Sequence, residues 1–265
     1  MSHVARGVVL AVMLAAADRA MADELGPLFL ASLHISAPPD LPLDGPIVAR
    51  LSLHPGGEAK VASTREWFRD AAMKNGALEL RLERAAAGAT PGAGQRGASF
   101  LVDVDEPAVT ALRDEIVKRS GSKPTVKDLT LFVNGWITKK NLGRILDNAS
   151  TVATRREGDC TEHAVLLAAA ARLFGMPSRV VLGLALVRFG DRLMALGHAW
   201  AEIHDGSRWQ IADAAALNIP APLRYLPLAA LTDEGPGFDG AAWQLLTPLD
   251  VKSVVLTAAP REATR

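Results

Sequence analysis

One cysteine, Cys160, stands in a chain of 265 residues, and its neighbours decide what a thiol could do there. Gly158-Asp159-Cys160 opens a strongly apolar stretch that runs to Phe174 and stops at Gly175, with Pro177 just beyond. That is the start and stop signature of a helix. A thiol attacks as thiolate, and the unpaired N–H groups and dipole of a helix N-terminus favour negative charge. The same donors could hold the oxyanion that develops on an acyl carbon. The plainer alternative is a small buried core thiol.

A nucleophilic thiol needs a base, and the base needs an orienting group. The segments His198 to His204 and Arg208 to Asp213 read as a hairpin joined at Asp205-Gly206, a strong turn dipeptide. A two-residue loop pairs His204 with Ser207 and sets His198 directly opposite Asp213. Cross-strand Cβ atoms lie roughly 4.5–5.5 Å apart, so the carboxylate could fix the imidazole in one tautomer, as a Cys-His-Asp relay requires. A one-residue slip would turn Asp213 to the other face, which leaves a solvated Asp beside a surface His as the alternative. His163 shares a helical face with Cys160, and a metal site of Cys160, His163 and either His198 or His204 is a rival. A second cysteine is absent, so no metal and no cofactor is expected. Trp200 and Trp209 read as diagonal neighbours that pack the sheet against the helix.

The elements that must position these groups follow from pattern. Residues 27–35 and 46–54 read as strands, Ser63 to Lys74 as a helix, and Ala77 to Glu83 as a strand with alternating leucines. Residues 85–98 are almost wholly Ala, Gly, Pro and Thr and read as a flexible linker. A strand is expected from Ser99 to Val104, then a helix with Pro107 in its first turn running to about Arg119. A second helix, about Thr125 to Lys139, presents Leu129, Phe132, Val133 and Trp136 along one face. Arg179 to Val187 reads as a buried strand. No internal repeat is visible, and the tail after Pro260 reads as frayed.

Composition sets wider bounds. Lysine plus arginine equals aspartate plus glutamate at 29 each, with no basic stripe interleaved with aromatics, so nucleic acid is not an expected partner. His3 and Arg6 precede an apolar run from Gly7 to Ala17, followed by Ala20-Met21-Ala22. This pattern reads as a signal peptide over 1–22, too short for a stable membrane anchor, with export to the periplasm or beyond. A buried or amphipathic N-terminal helix is the alternative. Cys160 alone permits no internal disulfide.

Three separated stretches resemble the transglutaminase-like superfamily. Gly158-Asp159-Cys160-Thr161-Glu162-His163-Ala164, continuing through Leu166-Leu167 to Phe174-Gly175-Met176-Pro177-Ser178-Arg179-Val180-Val181, is similar to its nucleophile helix and following strand. Gly197-His198-Ala199-Trp200-Ala201-Glu202 is similar to its histidine strand, and Trp209-Gln210-Ile211-Ala212-Asp213 to its aspartate strand. The resemblance covers about Ser99 to Leu256. It implies an α+β, papain-like core with the nucleophile helix packed on an antiparallel sheet, preceded by a smaller mixed α/β segment. It also implies Cys160 as nucleophile, His198 as general base and acid, and Asp213 as orienting carboxylate. Family members often follow the aspartate with Pro-Thr, where this chain has Ala214-Ala215. Neither Asn134 nor Trp136 can be assigned as an oxyanion donor from sequence.

The organisation expected is therefore a leader over 1–22, an N-terminal region over 23–98, a transglutaminase-like domain over 99–256 and a disordered tail over 257–265. The expected activity is thiol-dependent acyl transfer on a peptide or protein amide. A binding or scaffold module that keeps the fold without catalysis is the second reading.

Overall fold

The computed structural model describes residues 32–54, 67–68, 70–82, 90–140, 146–189, 192–217, 223–231 and 251–259. The leader expected over 1–22 lies outside them. Strands β1 (Ser32–Ser36), β2 (Ile47–Leu53), β3 (Ala72–Lys74) and β4 (Ala77–Leu82) come first. Helices α1 (Pro107–Thr110), α2 (Leu112–Ser120) and α3 (Val126–Trp136) follow, then the two-residue strand β5 (Lys139–Lys140). Next are α4 (Ala149–Arg155), the two-residue strand β6 (Glu157–Gly158) and α5 (Cys160–Leu173). Strands β7 (Ser178–Phe189), β8 (Arg192–His204), β9 (Trp209–Ala212), β10 (Leu223–Leu231) and β11 (Val251–Ala258) complete the order. The architecture is α+β, and among the described residues the α-helices are gathered between β4 and β7.

The helix boundaries follow from local chemistry. Pro107 occupies the first turn of α1, where its missing N–H costs nothing. Thr125 caps α3 by accepting the Asp128 N–H, and the Asp128 carboxylate returns to the Thr125 N–H at 2.8 Å. Along α3, Leu129, Phe132 and Val133 are buried and Trp136 packs at the cluster's margin, as the periodicity requires. Helix α5 is buried on nearly every side from Cys160 to Arg172, so it forms the axis of the helical layer.

The sheet runs β10-β7-β8-β1-β11-β2-β4-β3, with β9 also paired to β8. Neighbours are antiparallel except β1 and β11, which run parallel. One face of β7 and β8 joins the helices through Val180, Leu182, Ala199, Ala201 and Ile203. Val181 and Trp200 on the other face, with Leu184, Leu186 and Ala195 further along the strands, join a second cluster shared with Ile47, Leu51, Leu80 and Val254. Both halves of the sheet thus line one core, and the sheet folds over on itself. Trp200 lies in that second core and not against the helix. Arg179 and Glu202, both about 1% exposed, form an ion pair at 2.6 Å inside the fold. The Trp67 indole N–H donates to the same carboxylate at 3.0 Å, and the Arg179 guanidinium lies over the rings of Trp67 and Trp209. No helix among the described residues is long and apolar enough to cross a membrane.

Three expectations are corrected. The end of the helix expected over Ser63 to Lys74 is strand β3, because Asn75 and Gly76 both take positive φ and close a two-residue hairpin onto β4. The stretch Ser99 to Val104 is a turn: Ser99 donates to the Val102 carbonyl, and the Leu101 carbonyl serves the first N–H of α4. The β8–β9 hairpin has a four-residue loop, because the Asp205 carboxylate accepts the N–H groups of Ser207 and Arg208 at 2.8 and 2.9 Å. His204 therefore pairs with Trp209, not with Ser207, and Trp200 and Trp209 are not diagonal neighbours.

Candidate active site

Cys160 is the first residue of α5, and the sequence before it builds the helix start. The Asp159 carboxylate accepts the Thr161 N–H and hydroxyl, each at 2.9 Å. The Glu162 carboxylate reaches back to the Asp159 N–H at 3.0 Å and outward to the Asp147 N–H at 3.1 Å. Gly158 is required by the same packing, since a Cβ there would stand 2.2 Å from the Glu162 Cβ. His163 turns its Nδ1 onto the Asp159 carbonyl at 2.5 Å, and His204 accepts the Gly206 N–H across the hairpin loop. Among the described residues no group of three or more His, Cys, Asp or Glu side chains could hold a metal ion.

His198 lies on β8 opposite Gly183 of β7. Trp200 and Tyr225 stand together on one side of it, each ring centroid 6.3 Å from the imidazole and 4.9 Å from the other. Its Nε2 meets the Asp213 Oδ2 at 2.7 Å. The register shift of two residues keeps Asp213, just past the end of β9, on the same face as His198, so the two groups still meet. The Cys160 thiol is hydrogen-bonded to the same imidazole and to the Ala199 N–H. With Nε2 committed to the carboxylate, Nδ1 is the nitrogen left for sulfur.

Asp213 is held from every side. Oδ2 accepts the Tyr225 hydroxyl at 2.7 Å as well as His198, while Oδ1 accepts the Ala215 and Ala216 N–H groups at 3.0 and 3.1 Å. The Ala214-Ala215 departure leaves both backbone donors in place. Asn134 donates to the Ala214 carbonyl at 2.8 Å and so pins this turn to α3, while Trp136 donates to the Ala153 carbonyl. Tyr225 gave no signal in the sequence. It belongs to β10 and reaches Asp213 only because β10 lies beside β7.

Burial and charge pull the three groups apart. Burial pushes the Cys160 thiol up, and the His198 hydrogen bond and charge only partly offset it. Burial also disfavours the His198 imidazolium, but the Asp213 charge and hydrogen bond outweigh it, and His198 stands well above the usual imidazole range. Asp213 is lowered: burial opposes its charge, and the His198 and Tyr225 contacts prevail. Burial and the neighbouring carboxylate keep Tyr225 a neutral phenol. The arrangement can pass a proton between sulfur and imidazole while a fixed carboxylate stabilises the cation.

The model of the transglutaminase-like superfamily matches residues 111–214, from the start of α2 to just past Asp213. No curated protein sequence matches. Among solved structures, a candidate cysteine protease from Cytophaga hutchinsonii aligns over 81% of each chain at 14% identity, with a TM-score of 0.44. The periplasmic domain of TgpA from Pseudomonas aeruginosa aligns over 42% of each chain at 24% identity and a TM-score of 0.34. A candidate protease from Parabacteroides distasonis covers 72% of this chain and 42% of its own, at 13% identity and a TM-score of 0.32. The likeness to the transglutaminase-like superfamily therefore rests on residues 111–214.

Proposed function

We propose that this chain is an exported thiol-dependent acyl-transfer enzyme acting on a peptide or other amide. Cys160 is the nucleophile, His198 the general base and acid, and Asp213 the group that orients and stabilises the imidazolium. The thiol proton passes to His198 as sulfur adds to the carbonyl. His198 then returns it to the departing amine, leaving a thioester on Cys160. Water or a second amine resolves the thioester, so the outcome is hydrolysis or transamidation. A leader over 1–22, the region 23–98 and the enzyme domain over 99–256 form the accompanying domain plan, and the tail expected over 257–265 is corrected at its start, where Thr257 and Ala258 belong to β11.

One observation carries this reading: a single imidazole is shared by the only thiol and by a carboxylate 2.7 Å away. Acyl-donor probes with a reactive carbonyl, applied to the full chain, are expected to label Cys160. Cys160→Ala and His198→Ala each abolish the label in protein that still melts cooperatively. Iodoacetamide across pH separates the second reading, a catalytically silent module of the same fold. That reading is favoured by a thiol only 1% exposed and raised by burial. Alkylation near neutral pH that depends on His198 supports the enzyme, and an inert thiol supports the silent module.

A further inference from the structure

Two carboxyl groups that flank the nucleophile in sequence, Asp159 and Glu162, are buried together at the start of α5. The Thr161 hydroxyl stands 2.9 Å from Asp159 Oδ1 and 2.9 Å from Glu162 Oε1. A hydroxyl has one proton to give. With both carboxyls ionised it could serve only one of these oxygens, and the other would face it lone pair to lone pair inside the fold. Both contacts are hydrogen bonds when one carboxyl carries a proton of its own.

The remaining partners say which one. Asp159 Oδ1 also accepts the Thr161 N–H, at a helix start whose backbone dipoles favour an anion. Glu162 lies deeper, and burial with the Asp159 carboxylate beside it pushes it up to about 8. The proton therefore sits on Glu162, and a chain runs from the Glu162 O–H through the Thr161 O–H to the Asp159 carboxylate, one residue before the sulfur. The same chain grips the segment leading into α4: the Asp147 N–H donates to Glu162 at 3.1 Å and the Leu146 N–H to the Thr161 oxygen at 3.5 Å. The other charged groups around this turn are few. Asp147 pairs with Arg155 at 3.6 Å, Arg156 turns its Nε to the Trp136 carbonyl, and His163 turns its Nδ1 to the Asp159 carbonyl. The charged residues of β5 and β6 are Lys139, Lys140 and Glu157.

We infer that the Glu162–Thr161–Asp159 chain is a positioning device for Cys160, in which Glu162 serves as a neutral acid that fixes the first turn of α5 and leaves one negative charge, not two, beside the thiol. Burial already raises the Cys160 thiol, and the Asp159 charge adds to it. A second anion would raise it further. Once base removes the Glu162 proton, Thr161 can hold only one of the two carboxylates and the turn loosens. The bearing of the chain on the nucleophile rests on the acyl-transfer reading; the shared proton does not.

Full-length protein labelled with ¹³C at the glutamate side-chain carboxyls is titrated from pH 5 to 10. One signal is expected to titrate near 8 and to be missing from Glu162→Gln. Alkylation of Cys160 by iodoacetamide, under native conditions, is expected to match in wild type and Glu162→Gln at pH 6 and to run about threefold faster in the variant at pH 9. Thr161→Val breaks the chain without touching either carboxyl, and it is expected to slow alkylation about threefold already at pH 6, with Thr161→Ser restoring it. No glutamate titrating above pH 7, a ratio of variant to wild type that ignores pH, or equal rates in Thr161→Val and Thr161→Ser overturns the inference. Acyl-donor probes that leave Cys160 unlabelled while the Glu162 signal still titrates near 8 fail the acyl-transfer reading alone, so the two failures are told apart.

Discussion

At Asp213, four donors converge on two oxygens, and each oxygen must accept. An amide cannot satisfy that arrangement, because one of its two heads is a donor facing donors. Asp213→Asn is therefore expected to lower the His198 pKa and to cut kcat for acyl transfer on the order of 10³–10⁴-fold. Tyr225→Phe leaves the His198–Asp213 contact and is expected to cost far less. Stopped-flow acylation of the two variants, with an imidazole NMR titration, compares them. The catalytic candidates themselves were legible in the sequence because each carries a local signature: a helix start at Cys160, and a hairpin bearing His198 and Asp213. Tyr225 was not legible, since no local pattern announces a contact made between strands β10 and β9.

Among the elements, β7 and β10 meet most closely at Gly183, directly opposite His198. A Cβ on Gly183 would stand 2.2 Å from the Leu226 carbonyl oxygen and 2.7 Å from the Trp200 ring. The register of β10 on β7 also shifts between Pro227 and Ala229, where proline removes a ladder donor. Gly183→Ala must move a backbone, and it is expected to destabilise the fold by about 1–3 kcal/mol in urea melts. Because Gly183 faces His198, it should also slow thiol labelling in the folded protein. Hairpins proved harder to place from sequence than helices. Asp205-Gly206 signals a turn, but the Asp205 side chain recruits two more residues into the loop, and only the even size of that shift kept His198 and Asp213 together. Asn75-Gly76 is a turn dipeptide that closes β3 onto β4, and it prevails over the helix read from Ser63 to Lys74. Helix α4 had no expectation from the sequence; its start is set by Asn148 accepting the Thr151 N–H and Asp103 accepting the Ser150 N–H.

For the whole molecule, the buried acids set how stability follows pH. Burial, with the Asp159 carboxylate beside it, pushes Glu162 up to about 8. The folded state therefore holds a proton that the unfolded chain releases near 4.5, and stability contributed by Glu162 falls as pH climbs from about 5 to about 8. Glu162→Gln removes the titration and is expected to flatten that decline in urea melts taken from pH 5 to 9, at lower stability throughout, because its single oxygen can serve only one of the Asp147 and Asp159 N–H groups. His198 works in the same direction: its raised pKa gives stability that is full below the ordinary imidazole range and is lost as pH rises through the folded value. Asp213 supplies the opposite limb, lost on acidification. The strand that joins β1 to β2 is β11, the last described strand, so β2, β3 and β4 have no lateral link to β1 and the site-bearing strands until residue 251 has been synthesised. A ribosome must release most of the polypeptide with that seam open, and closing it demands one of the longest-range contacts the topology contains, a slow step in which the unpaired margins of β1 and β2 are open to foreign chains.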